Sequence, residues 1–258
     1  MKKLFISLSV LILSLFSLSC SVSTHDFPRQ ARQSFLKVEK KVEVAVCEGG
    51  VCTTKYGLAT GSGAVVDKNS TGAYVLTAGH VCLVDSYITK GVKLIDVKMD
   101  VLDLGLKRYR ADIIHIDMEI DTCLMYVAGL HRPVLDMAFR NPKQGDKSFN
   151  IAAPVGIFNK NLVPLMEGYF IGNEGRRALY SIPAAGGSSG SPILNHHGQL
   201  IGMIHSVNLY FPVITVSTTT DDLRKFIWEA IKKHEWSIVE KALAEDDVST
   251  LPAELIQD

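Results

Sequence analysis

The chain runs to 258 residues, 47% hydrophobic and 21% charged, an ordinary globular composition with enough length to bury a sizeable core. It suits one large all-β domain or two small ones. Its 27 basic residues balance 27 acidic ones for a formal net charge of +0, so no global field favours nucleic acid or an anionic membrane. No basic cluster with interleaved aromatics is present, and no nucleic-acid partner is expected.

The first element is a targeting segment. Lys2 and Lys3 precede an apolar run, Leu4 to Leu18, of about 15 residues, shorter than the roughly 20 that a bilayer span needs. With small residues at Ser17 and Ser19, residues 1–20 read as a secretory signal. Ser17-Leu18-Ser19-Cys20 resembles a bacterial lipoprotein cleavage box, in which the cysteine becomes the lipidated first residue. The usual leucine stands one place too close, at Leu18, so lipidation of Cys20 and plain cleavage near Ser19 or Ser21 both stay open. The expected location is exported: periplasmic, membrane-anchored through Cys20, or extracellular.

Residues 21–41 read as an approach segment, charged and loosely helical from Pro28 to Lys41. From Val42 the chain breaks into short strand-like runs with turn punctuation: Val42–Cys47, Thr53–Leu58, Gly63–Asp67, Tyr74–Thr77, Val92–Val101, Arg108–Asp117 and Cys123–Val127. Gly129–Lys147 is a connector. Strands resume at Phe149–Ala153, Leu162–Ile171, Ala178–Ile182, Pro192–Leu194, Leu200–Val207 and Val213–Val216, a pattern that points to sandwiches or barrels. Thr219-Thr220-Asp221-Asp222 then caps a helix over 220–234, with Leu223, Phe226, Ile227, Ala230 and Ile231 at helical spacing. Residues 235–258 form a weaker helix and an acidic tail.

Export favours disulfides among Cys47, Cys52, Cys82 and Cys123. Cys47 and Cys52 flank Glu48-Gly49-Gly50-Val51, a hairpin loop across which a bridge is easy. Cys82 lies two residues after His80 and Cys123 two after Asp121, so a Cys82–Cys123 bridge follows if His80 and Asp121 touch. A zinc site competes poorly, because neither spacing completes a four-ligand set. No metal is expected.

Gly186-Gly187-Ser188-Ser189-Gly190-Ser191-Pro192 is a backbone that can bend sharply and bring its amides close to a reacting carbonyl. A serine hydroxyl needs a base within hydrogen-bond reach, and a histidine whose tautomer is held by a carboxylate supplies it. The oxyanion that forms needs fixed N–H donors, each worth about 3–4 kcal/mol. His80, Asp121 and Ser189, with the N–H groups of Gly187 and Ser189, meet these needs. Asp117 is the main rival to Asp121, but belongs to the turn ahead of the strand.

Thr77-Ala78-Gly79-His80, Asp121-Thr122-Cys123-Leu124 and Gly186–Pro192 stand in the order His…Asp…Ser. With Gly61-Ser62-Gly63-Ala64-Val65-Val66 ahead of the histidine and Gly198-Gln199-Leu200-Ile201-Gly202 after the serine, the chain resembles the trypsin/chymotrypsin-like serine peptidases from about Val42 to Lys233. The nearest branch is the bacterial HtrA-like and glutamyl-endopeptidase group, with too few residues left for a PDZ domain. The resemblance implies an all-β fold of two antiparallel six-stranded barrels over 42–128 and 148–217, a C-terminal helix, a site in the cleft between the barrels and no cofactor. It implies a protein or peptide substrate, and a monomer is expected.

Departures from the digestive enzymes carry information. Ser188 replaces the aspartate that captures a freed N-terminus, and Pro183 occupies the position of trypsin's specificity acid. Glutamyl endopeptidases carry a histidine at the pocket wall, where this chain has Ile204, with His205 one step on. Strand alternation turns His205 away from the wall or towards the triad, unless a bulge brings it into the pocket. Pro183, Ile204 and His205 are thus the specificity-pocket positions to follow. An active serine endopeptidase and a catalytically silent binding protein on the same fold are the two readings carried forward.

Overall fold

A computed structural model of the chain describes residues 27–83, 91–208 and 210–244, with Pro252. The signal segment, Cys20 and most of the acidic tail lie outside the described residues.

A helix α1 (Phe27–Ser34) leads into β1 (Phe35–Glu48), β2 (Val51–Lys68) and β3 (Gly72–Ala78). A single turn, α2 (Gly79–Cys82), follows, then β4 (Val92–Leu102), β5 (Arg108–Asp117) and β6 (Thr122–Ala128). These strands close into a barrel in the order β1-β2-β3-β6-β5-β4. The second half holds β7 (Lys147–Ile151), β8 (Leu165–Glu174), β9 (Arg177–Tyr180), β10 (Pro192–Leu194), β11 (Leu200–Val207) and β12 (Thr215–Thr218), a second closed barrel in the order β10-β11-β12-β9-β8-β7. All pairings between consecutive neighbours are antiparallel, as the expected fold requires.

β3, Gly-Ala-Tyr-Val-Leu-Thr-Ala, is buried along its whole length, which is why it reads as a continuous apolar run rather than an alternating one. Its pairing with β6 positions the site. Ala78 opposes Thr122 and Thr77 opposes Cys123, so the chain leaving β3 at Gly79 meets the chain entering β6 at Asp121.

The long helix α3 (Thr220–Ala244) closes the fold. Asp222 N–H donates to Thr219 Oγ1 while that hydroxyl donates to Asp222 Oδ2, a reciprocal cap. Leu223, Phe226, Ile227, Ala230 and Ile231 are buried on one stripe. The stripe packs on the first barrel: Phe226 stacks on His115 with ring centres 5.4 Å apart, and His234 Nδ1 lies 3.2 Å from the Tyr74 hydroxyl.

Three expectations are corrected. The approach segment does not extend to residue 41, because β1 begins at Phe35 and the barrel with it. Lys37, Glu39, Lys40 and Lys41 made that stretch look solvated. In the barrel, Lys37 and Arg108 pair with Glu39 (3.1 and 2.8 Å) and Lys41 pairs with Asp100 (3.1 Å). The runs Thr53–Leu58 and Gly63–Asp67 are one strand, β2, through Ala59–Ser62. The described part of the tail, to Ala244, is no separate helix, since α3 continues unbroken through it.

Cys47 bonds to Cys52 and Cys82 to Cys123. Closing a loop of sequence separation 41 removes more unfolded-chain entropy than closing one of separation 5. Loop-closure arithmetic puts the two bridges at about 4 and about 2 kcal/mol. We expect Cys82→Ala/Cys123→Ala to lower the denaturation midpoint about twice as far as Cys47→Ala/Cys52→Ala, measured by urea unfolding.

Candidate active site

His80 stands on α2, the turn that β3 runs into, and Asp121 on the residue before β6. Asp121 adopts a left-handed backbone (φ 48°), which aspartate tolerates better than most residues. Tethers hold that conformation. Gly79 N–H donates to Asp121 O (2.9 Å), and Ile120 O accepts from the hydroxyls of Thr122 (3.0 Å) and Thr218 (2.7 Å). Thr218 belongs to the second barrel, so the Asp121 turn is stitched across the cleft.

The Asp121 carboxylate receives His80 twice. His80 backbone N–H donates to Oδ1 at 2.7 Å, and ring Nδ1 lies 2.8 Å from Oδ2. Burial alone raises the Asp121 carboxyl's pKa. The hydrogen bonds from the His80 ring and backbone, and the charges of His80 and His205, outweigh it and hold the group below the ordinary carboxylate range. With Nδ1 committed to Asp121, His80 Nε2 is the nitrogen left to face a reactant.

Ser189 lies on the Gly186–Ser191 bend against the first barrel. Ser62 N–H donates to Ser189 O (2.7 Å), and Gly190 N–H donates to Ile204 O (2.7 Å). A Cβ on Gly190 would sit 3.0 Å from Ala78 N, and one on Gly61 3.1 Å from Ser189 O and 3.0 Å from the Val81 side chain. The serine loop therefore packs on the strand end and turn that flank His80. Among the described residues, Ser189 Oγ makes no hydrogen bond, to His80 or to any other group.

The loop's amides divide into two kinds. Ser188 N–H donates to Ala185 O and Gly190 N–H to Ile204 O, whereas Gly187 and Ser189 N–H donate to no acceptor among the described residues. Val155 N–H binds Gly186 O at 2.6 Å, and peptide planarity then turns Gly187 N–H the opposite way. Ser62 Oγ donates to Gly187 O (2.8 Å) and accepts from Ala153 N–H (3.0 Å), clamping the same bend. Gly187 has φ 92°, and a Cβ there would meet Ala153 O at 2.5 Å. The role of Ser62 was not legible beforehand, since a serine between two glycines carries no sign of what it reaches.

Of the pocket positions, Pro183 is exposed and Ile204 is buried in the second barrel's core. A bulge against β12 falls between Ile204 and Ser206. His205 sits there and turns towards Asp121, with Nδ1 3.7 Å from Asp121 Oδ2. Burial lowers the His205 pKa. Asp121 and the Ser217 backbone pull the other way, Arg177 and His80 add to the lowering, and the net shift is downward. Asp117 is engaged elsewhere, its Oδ1 accepting from Glu119 N–H (2.9 Å). Ser188 is buried, its hydroxyl accepting from Ala185 N–H (3.3 Å). The position that holds an activating aspartate in digestive enzymes is here a small side chain within the loop.

Two closed six-stranded antiparallel barrels followed by a C-terminal helix define a chymotrypsin-like fold. A family model described as trypsin-like peptidase domain matches residues 61–203, more than half of the chain, and the chain belongs to that family. The fold is similar to that of the Rv3671c protease from M. tuberculosis in its active form (TM-score 0.57, 16% identity, covering 80% of this chain and 85% of that one). It is also similar to a variant of the HtrA-type protease AlgW with a decapeptide (0.66, 15%, 82% and 67%). A third likeness is to a serine endoprotease from Yersinia pestis (0.58, 19%, 83% and 68%). No curated protein sequence matches the chain. Family and fold together support a serine protease.

Proposed function

We propose that the chain is an exported serine endopeptidase that cleaves peptide bonds through an acyl-enzyme on Ser189. The observation that carries this reading is the Asp121 carboxylate, bound by both the ring and the backbone of His80 beside a serine loop whose Gly187 and Ser189 N–H groups have no acceptor among the described residues.

Ser189 Oγ attacks the scissile carbonyl as its proton passes to His80 Nε2, and Asp121 stabilises the imidazolium. The carbonyl oxygen, now negative, takes the Gly187 and Ser189 N–H groups. As the intermediate collapses, the C–N bond breaks and the leaving amine takes the proton from His80. Water, deprotonated by His80, repeats the sequence on the ester and frees the acid. The open Ser189–His80 contact suits an enzyme without substrate, because such bonds often tighten only in the complex. That open contact is also the one observation favouring the silent binding protein.

The peptide seen with the HtrA-type relative supports a protein or peptide substrate, and the two disulfides support an oxidising, exported compartment. A peptidase unit over residues 42–234, removal of 1–20 and lipidation of Cys20 belong to the same proposal, with β1 extending that unit back to Phe35.

A fluorophosphonate probe followed by peptide mapping tests the reading. We expect adduct on Ser189 in the wild type and none in Ser189→Ala. Label that persists in the variant would remove Ser189 from the role, and an unlabelled wild type would support the binding protein.

A further inference from the structure

Along the first part of β2, one edge is open among the described residues, and that edge leads to the Ser189 loop. β1 pairs with β2 from Glu48↔Val51 to Phe35↔Ala64 without a register shift, whereas β3 pairs with β2 only from Ala64 onward. Among the described residues, no strand pairs with the outer edge of β2 between Val51 and Gly63.

Alternation fixes which backbone groups face that edge. Ser62 N–H points outward, to Ser189 O, and Ser62 O points outward, to the Thr77 hydroxyl (2.8 Å). With no register shift, Thr60, Leu58, Tyr56 and Thr54 share that direction. The same parity makes Cys47↔Cys52 a non-hydrogen-bonded pair, in keeping with its Cα separation of 4.0 Å and with Cys47 N–H donating outward to Gly91 O. Among the described residues, the outward amides of Thr54, Tyr56, Leu58 and Thr60 have no backbone partner.

The edge also lacks the features that normally keep strands from pairing. Val51–Thr60 contains no proline and a single charged residue, Lys55. Tyr56 and Leu58 are 78% and 63% exposed on one face, beside a hollow of about 350 Å³ lined by Lys41, Glu43, Asp96 and Lys98. Three of those charges are paired within the fold, Lys41 with Asp100 (3.1 Å) and Lys98 with Asp96 (3.0 Å), while Glu43 accepts from the Tyr56 hydroxyl (3.5 Å). The hollow therefore suits an uncharged, apolar side chain.

We propose that the β2 ribbon from Thr54 to Leu58 binds the polypeptide on the leaving-group side of the scissile bond, as an added β-strand well outside the catalytic cleft. This rests on Ser189 being the nucleophile. The leaving amine departs towards His80, and the edge starts at Gly61, where an added Cβ would meet both Val81 and Ser189 O. A chain leaving there meets Thr60 first, then Leu58, Tyr56 and Thr54 over roughly 25 Å. The preferred substrate is an extended, unfolded segment with apolar side chains at alternate positions, since a folded surface cannot donate a free strand.

The test uses the Ser189→Ala protein and fluorescein-labelled peptides of alternating valine and serine, read by anisotropy. Lengthening the leaving-group side from about two residues to about eight should tighten Kd by about tenfold or more. N-methylation at every second residue should abolish the gain in one parity and spare it in the other. Tyr56→Pro, which removes an outward N–H without touching the β1 ladder, should erase the gain while short peptides bind as before. A Kd independent of length, or equally sensitive to methylation in both parities, would overturn the proposal. So would a dimer that Tyr56→Pro dissociates in sedimentation, which would give the edge to a second copy of the chain. An unlabelled wild type in the fluorophosphonate assay would instead sink the peptidase reading, leaving the length series to report on the edge by itself.

Discussion

Asp121→Asn is expected to lower kcat by about 10⁴-fold with little change in KM, because asparagine leaves His80 in the wrong tautomer. The carboxylate accepts from both the backbone N–H and ring Nδ1 of His80. An amide oxygen can keep the backbone bond, but the amide nitrogen cannot accept from Nδ1. The imidazole then turns its protonated nitrogen towards the serine, where a lone pair is needed. Steady-state hydrolysis of any peptide the wild type cleaves measures this, and a loss under about tenfold would take Asp121 out of the triad.

The same substitution carries a pH signature. The folded Asp121 carboxyl lies below its ordinary 3.8, through the His80 bonds that outweigh burial. A depressed carboxyl contributes stability that is present above the unfolded value and is lost as pH falls through the folded one. Urea midpoints of the wild type should therefore fall across that acid window more steeply than those of Asp121→Asn. Parallel curves would show that the bonds to His80 add nothing to stability.

Gly190→Ala should be the most damaging single-methyl change in the serine loop. Gly190 has φ 88°, and its Cβ would overlap Ser62 O and the Thr77 hydroxyl, two atoms already hydrogen-bonded to each other. Left-handed strain and backbone overlap together should cost about 3 kcal/mol or more, a fall in Tm of roughly 10 °C for a domain of this size. Relief by backbone movement would shift Ser189, so hydrolysis should fall as well. Gly186→Ala is the control, because that glycine has no positive φ and nothing within 4 Å of its Cβ position. Calorimetry of the pair decides it: equal Tm values would mean the loop yields freely, against the close packing described above.

Legibility followed how local each signal was. β11 reads as Leu200–Val207 in sequence and in structure, because its apolar run is bounded by a turn on each side. The cap and apolar stripe of α3 are likewise local, through Thr219, Asp222 and Leu223–Ile231. Phe35–Lys41 misled for the opposite reason. Its charges satisfy one another across strands, with Arg108 on β5 and Asp100 on β4, and no window of sequence contains those partners. β2 looked like two strands, Thr53–Leu58 and Gly63–Asp67, but Ala59–Ser62 joins them without a break. In the fold Gly61 allows close approach of Val81 and Ser189 O, and Gly63 that of Leu76 O.

By itself, the sequence determined which groups could do chemistry here, His80, Asp121 and Ser189 in that order, and the glycines that let the serine loop bend. Side-chain chemistry and backbone freedom belong to single residues and survive without a fold. Only the tertiary structure decided which groups meet. Ser62 reaches Gly187 and Ala153 from the other barrel, and one step of register sends His205 to Asp121 while Ile204 goes into the core. Among the described residues, β2 is left with an open edge beside Ser189 because β3 pairs with it only from Ala64. Each of these depends on strand register and on how two closed barrels face each other, and both are set by packing between segments far apart in the chain.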